Sequence, residues 1–272
     1  MEDNLEEKIE EEKLTPKSVL NSSMHSGTVI VFAVALLISL LLRIASVTVA
    51  LIKSSWIEWL FEVPEIICMI FALIGAFGLI KCGENDMAGK FSLIKVMTVC
   101  ELVVSIILTI VAAFLFVLIL LFGLETQLFQ TGFVGTNGIP LLEEYTEIIE
   151  DFLKEFSFVP PVARFLMILG IALLEFISYF ICIFAFKKWT GYLNGLKFTS
   201  ETGFYNEDYS HRGILITSGV FMIITCAAML WITFMLRMNP LHSCATIFLG
   251  LAAITSGILY DKTHRSIEKL AE

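Results

Sequence analysis

Read along the chain, stretches in which nearly every position is apolar alternate with short polar breaks. Six such stretches fall at roughly 28–52, 63–81, 94–122, 162–187, 213–236 and 241–260. Each reaches the about 18 apolar residues that carry an α-helix across a hydrocarbon core. The pattern predicts an all-α fold, a polytopic transmembrane helix bundle of six spans. A transmembrane β-barrel would show short segments alternating apolar and polar at every second position, which this pattern lacks.

The breaks carry patterns of their own. The longest, about 123–161, opens on a glycine-rich run and continues as "LLEEYTEIIEDFLKEF". There Leu141, Leu142, Tyr145, Ile148, Ile149, Phe152 and Phe156 recur at helical spacing, with Glu143, Glu144, Glu147, Glu150 and Asp151 on the other side. This predicts an acidic amphipathic helix over 141–157. Its apolar face can cap the bundle, lie on the bilayer or receive a protein partner. Pro160 and Pro161 then end the loop and start the fourth span. In the break after the fourth span, Trp189, Tyr192, Leu193 and Leu196 share a face beside Lys187 and Lys188, which reads as a short interfacial anchor.

Composition strengthens the membrane reading. Hydrophobic residues make up 57% of the 272 and charged residues 17%, with a mean hydropathy of +0.84; soluble domains carry about a quarter charged residues. The first 27 residues are polar and acidic, with no basic segment ahead of a short apolar core, so the first span is expected to be retained as a helix. The chain thus divides into an acidic tail at 1–27, a six-span domain at 28–260 and a C-terminal tail at 261–272.

Positive residues set the orientation, because Lys and Arg near helix ends favour the cytoplasmic side. Thirteen fall in the N-terminal tail, the second and fourth breaks and the C-terminal tail. Four (Lys53, Lys154, Arg164 and Arg237) fall on the other side, and Arg43 lies within the first span. Both termini are therefore expected in the cytoplasm, in a plasma membrane of bacterial type. Trp56, Trp59 and Trp231 then mark the outer interface, and Trp189, Tyr192 and Tyr260 the inner one. None of the six cysteines lies in the long outer loop, so no disulfide framework is expected. The net charge of −9 argues against a nucleic-acid partner. The expected partners are the lipid bilayer and a protein bound through helix 141–157 or the cytoplasmic tails.

Motif chemistry is sparse. "GENDMAGKF" fails as a phosphate-binding loop, since five residues separate Gly83 from Gly89 and Phe91 follows Lys90. His25, His211, His242 and His264 are scattered without metal-ligand spacing, and no Cys-x-x-Cys occurs, so neither a metal nor another cofactor is expected. Ser218-Gly219 and Ser256-Gly257 lack a histidine at matching depth for intramembrane hydrolysis. With Ala252 and Ala253 they read as small residues for close helix packing. No catalytic residue is assigned.

Charge inside the apolar runs is what remains. Arg43, Glu101 and Glu175 each interrupt a span and sit on polar stripes: Ser39 and Ser46 around Arg43, Thr98, Ser105 and Thr109 around Glu101, and Ser178, Tyr179 and Cys182 around Glu175. An ionisable residue at bilayer depth costs about 2.5–3.5 kcal/mol on insertion scales, so it should face the bundle interior and find a partner. At 1.5 Å per residue, Arg43 lies roughly 5 Å outside its span's centre and Glu175 about 1–2 Å inside its own. Arg43–Glu175 is the expected pair, with Glu101 the spare carboxylate nearer the cytoplasmic end. Glu65, directly after Pro64, reads as a first-turn residue that suits the helix dipole. The expectation is a non-enzymatic integral membrane protein acting as a membrane subunit or interaction scaffold. The alternative is a small transporter or permease component with a proton- or cation-linked path through Arg43, Glu101 and Glu175.

Overall fold

Each apolar run closes as a helix, because in a water-free medium backbone amides must be satisfied within their own segment. The computed structural model describes residues 15–52, 56–83, 86–125, 161–205, 212–235 and 239–271. Its helices are α1 (Pro16–Met24), α2 (Gly27–Ile52), α3 (Trp56–Lys81), α4 (Met87–Glu125), α5 (Pro161–Thr202), α6 (Arg212–Met235) and α7 (Leu241–Ala271), with no strand among the described residues. The last six are long and apolar enough to cross a membrane. The amphipathic segment 141–157 and the acidic residues 1–14 lie outside the described residues.

From α2 onward, helices adjacent in sequence are adjacent in space. Helix α2 packs on α3, α3 on α4, α4 on α5, α5 on α6 and α6 on α7, and α7 returns to α2. The result is a closed ring in chain order. Pairing is antiparallel from one helix to the next: Arg43 meets Glu65 while Ser46 meets Glu62, and Gly75 faces Leu93 while Gly78 faces Lys90. One end of the ring therefore gathers α1 and the α3–α4 turn; it is called the α1 end below, and the other the opposite end. Large apolar side chains such as Leu41, Ile110, Phe114 and Ile224 stay exposed on the ring's outer surface, as lipid contact requires.

Packing is tightest around α7. Over its most apolar stretch 61% of α7 is buried, against 17% for α5, so α7 is the hub of the bundle. Small residues make this possible. A Cβ added at Gly219 would lie 2.9 Å from the Gly250 carbonyl oxygen and 2.7 Å from Ile254 Cγ1, so α6 and α7 touch backbone to backbone. Ala252, Ala253 and Ser256 line the buried side of α7.

The α1 end differs from the sequence expectation. Residues 16–24, read as part of a tail, form α1. Thr15 caps it by accepting from the Ser18 amide, Pro16 sits in the first turn, and Leu20 and Met24 are fully buried. Helix α1 lies on α5 and α7. Helix α5 runs on to Thr202 and α7 to Ala271, so residues 188–202 of the segment read as a break and 261–271 of the C-terminal tail are helical. Trp189, Tyr192, Leu193 and Leu196 are accordingly core rather than an interfacial anchor; Trp189 is fully buried between Phe32 and Phe186. A stripe that reads as amphipathic on one helix is covered once neighbouring helices reach as far. Trp231, by contrast, is exposed.

Candidate functional site

Arg43 lies in the middle of α2 and is 1% exposed. Its guanidinium holds two carboxylates from two other helices. One Nη forms an ion pair with Glu65 of α3. Nη2 donates to Glu101 of α4 at 3.0 Å and 3.3 Å to its two oxygens. The planar fork of arginine suits such bridging, because its donors point in fixed, divergent directions. Charge-assisted bonds in a dry interior are also the strong class of hydrogen bond.

Helix lengths explain why these three meet. Arg43 is 16 residues from the start of α2 and Glu101 is 14 from the start of α4. At 1.5 Å per residue those are about 24 and 21 Å from the same end of the ring. Helix α3 starts at Trp56, two turns ahead of the apolar run, so Glu65 lies about 14 Å into its helix rather than in the first turn. The dipole reading of Glu65 is replaced by its ion pair.

A second layer continues toward the opposite end. Glu62, one turn from Glu65, accepts from the Ser46 hydroxyl at 2.8 Å and faces His242 Nδ1 at 3.2 Å, both on Oε1. Asn239 Nδ2 donates to Ser46 at 3.1 Å, while Asn239 Oδ1 accepts the Leu241 amide and so caps the start of α7. One turn from Arg43 the other way, Ser39 donates to the Ala245 carbonyl at 2.8 Å, tying α2 to α7. Residues from four helices thus form one polar column, with Glu62, Glu65 and Glu101 all buried.

Glu175 is not part of the ion-pair network. It is half-buried on α5, and Tyr179 donates to it at 3.4 Å from one turn away. The expected Arg43–Glu175 pair does not form, and Glu101 is no spare. The reason is the ring order: α2 is flanked by α3 and α7, so the carboxylates of α3 and α4 reach the guanidinium before one on α5 can. Ser178 instead donates to Thr225 at 3.3 Å, joining α5 to α6. Ser105 lies one turn from Glu101 and is buried, its carbonyl accepting from Thr109. Of the polar residues expected to cluster, the structure brings together Arg43, Glu101, Ser39 and Ser46, and sets Glu175, Ser178 and Tyr179 apart.

Glu62, Glu65, His242 and Asn239 are the members that sequence reasoning left out. A signal existed: Glu62 and Glu65 are three apart, on one helical face pointing the same way. Hydropathy alone trimmed that face from the span. At the α1 end a further polar group forms, where buried His264 contacts Tyr205, lies 2.9 Å from Glu268 and stacks on Tyr260, which in turn meets Tyr192 edge-on. Among the described residues no set of three or more His, Cys, Asp or Glu side chains is arranged to hold a metal ion. No family model, curated protein or solved structure matches this chain.

Proposed function

We propose that the protein is a non-enzymatic, multi-pass integral membrane protein of the plasma membrane, with both termini in the cytoplasm, that serves as a membrane subunit or interaction scaffold. The closed geometry at Arg43 is the observation that carries this reading. Both Nη atoms of the guanidinium face carboxylates, those of Glu65 and Glu101, and all three side chains are within 5% of full burial. A clamp that fixes the register of α2, α3 and α4 needs such closure, whereas a site that admits a solute needs an opening. The thirteen-to-four bias of Lys and Arg supports the orientation. Protein partners would dock through the acidic segment 141–157 or the cytoplasmic tails.

One observation favours a second reading, a small transporter whose polar path is proton- or cation-linked. Glu62, Glu65 and Glu101 outnumber the single guanidinium, which is more acid than a register clamp requires. The triple substitution Arg43→Leu, Glu65→Leu, Glu101→Leu separates the two readings. It removes the guanidinium and both carboxylates that it pairs with together, leaving Glu62 on its Ser46 and His242 contacts. If the variant folds in the membrane and complements a deletion strain, the clamp reading stands. If it folds but fails to complement, the charges have a functional role and the transporter reading replaces it.

A further inference from the structure

The contact between Glu62 and His242 lies at the opposite end of the polar column, and a clamp centred on Arg43 does not use it. Its two members differ in environment: the His242 side chain is 39% exposed, and that of Glu62 is 7% exposed. Glu62 Oε1 accepts from Ser46 and faces the imidazole, while Oε2 is buried with no hydrogen-bond partner among the described residues. The charged groups around the pair are Arg43 on α2, Glu65 on α3, Glu101 on α4 and Glu175 on α5, while α6, whose one charged residue Arg212 lies at the α1 end, adds none. Three carboxylates share the column with one guanidinium, so full ionisation would leave two negative charges in excess beside a neutral imidazole. Uncompensated charge in a low-dielectric interior costs several kcal/mol per ion. Among the described residues, His242 is the remaining base in hydrogen-bond contact with the column, and it reaches the surroundings.

We propose that His242 and Glu62 form a proton-binding site loaded from the opposite end of the bundle, which sets one positive charge against the carboxylates of the Arg43 column. In the neutral imidazole Nδ1–H donates to Glu62 Oε1, leaving the Nε2 lone pair to take a proton from hydronium and release water. The resulting imidazolium keeps its Nδ1–H on the carboxylate and spreads its positive charge over the ring. Ser46, which donates to Glu62 and accepts from Asn239, holds the carboxylate in place for that bond. The site goes beyond both readings above, since a scaffold could carry it as well as a transporter.

The test uses the full chain, labelled with 15N-histidine, in lipid nanodiscs at mildly acidic pH. The His242 resonances are assigned by their loss in His242→Gln. The expected wild-type spectrum shows both His242 ring nitrogens protonated, and Glu62→Gln at the same pH loses that signature while the other three histidines keep theirs. Ser46→Ala, which leaves all charges in place, should weaken the signature partially and serves if Glu62→Gln does not fold. A His242 signature that is identical in wild type, Glu62→Gln and Ser46→Ala would overturn the proposal. So would a neutral ring in the wild type whose signals shift on exchanging potassium for sodium, because that assigns the site to an alkali cation.

Discussion

Replacing Arg43 by leucine isolates the energetics of the clamp. The substitution preserves most of the side chain's apolar volume and helix propensity, and takes away the guanidinium held by Glu65 and Glu101. Both carboxylates are then left 3% and 4% exposed with their cationic partner gone. Removing one partner of a buried ion pair costs about 3–5 kcal/mol, chiefly because the surviving charge stays desolvated. At 1.4 kcal/mol per factor of ten, this lowers the folding equilibrium constant by roughly two to four powers of ten. The assay is reversible unfolding in mixed micelles with increasing denaturing detergent, for the wild type, Arg43→Leu, Glu101→Gln, Glu65→Gln and the doubles. Neutralising either glutamate in the Arg43→Leu background should recover about 1–3 kcal/mol, the range of coupling energies for residues in one network. Glu175→Gln should cost under about 1 kcal/mol and add to Arg43→Leu without coupling, since Glu175 hydrogen-bonds within its own helix. A loss below about 1 kcal/mol for Arg43→Leu would refute the clamp. Coupling of Arg43 to Glu175 but not to Glu101 would refute the ring order behind it.

Three further outcomes follow from other parts of the fold. Gly250→Val places branched carbons where Gly219 O already lies 3.1 Å from an added Cβ, so α6 and α7 must separate at a cost of about 1–3 kcal/mol, read as a lower unfolding midpoint in the same detergent titration. Met24→Ala empties a fully buried position where α1 meets the bundle and should cost about 2–5 kcal/mol locally, seen as faster amide exchange in residues 16–24 with the spans unchanged. Cys82 lies just beyond the end of α3, outside the spans, and burial, aided by nearby Asp86, pushes its thiol up despite an opposing backbone hydrogen bond and the weaker pull of Lys90. Because the thiolate is the reactive form, a variant retaining only Cys82 should react slowly with a maleimide at neutral pH and faster as pH rises, with denatured protein reacting fast throughout. Rapid labelling of the folded form would contradict that burial.

The number and approximate placement of the six long helices were legible because a membrane span is specified by a single scalar, mean hydropathy over about twenty residues. Their ends were not. Trp56–Glu65 contains Glu58, Glu62 and Glu65, so hydropathy starts the second run only at about residue 63, although α3 begins at Trp56. Two missing turns displaced Glu65 from the interior to a rim. The α1 end failed for a related reason: α1, the tail of α5 and the tail of α7 are each only moderately apolar. Leu20, Trp189, Tyr192 and Tyr260 become core when the three lie together, and no one of the segments announces the other two.

The choice of partner for Arg43 shows where sequence reasoning stops in a bundle of this kind. Depth along the membrane normal can be estimated from residue number, and it makes Glu175 a plausible match for Arg43. Lateral adjacency is a separate coordinate, fixed by which helix faces pack, and six spans allow many circular orders. Here the small residues of α7 settle it. Ala245 receives Ser39 of α2, Gly250 meets Gly219 of α6, and α7 thereby closes the ring between the first and the fifth long helices. With that seam shut, α2 has α3 and α7 as its flanks, and the interior carboxylates within reach of its arginine are those of α3 and α4. The ring that limits the partners of Arg43 is thus closed by glycine and alanine positions on a different helix. Widening the α6–α7 seam with Gly250→Val should therefore also weaken the Ser39–Ala245 contact, while leaving the coupling between Arg43 and Glu101 within about 0.5 kcal/mol of wild type, because distant sites add. A large loss of that coupling would mean that the seam and the clamp are one cooperative unit.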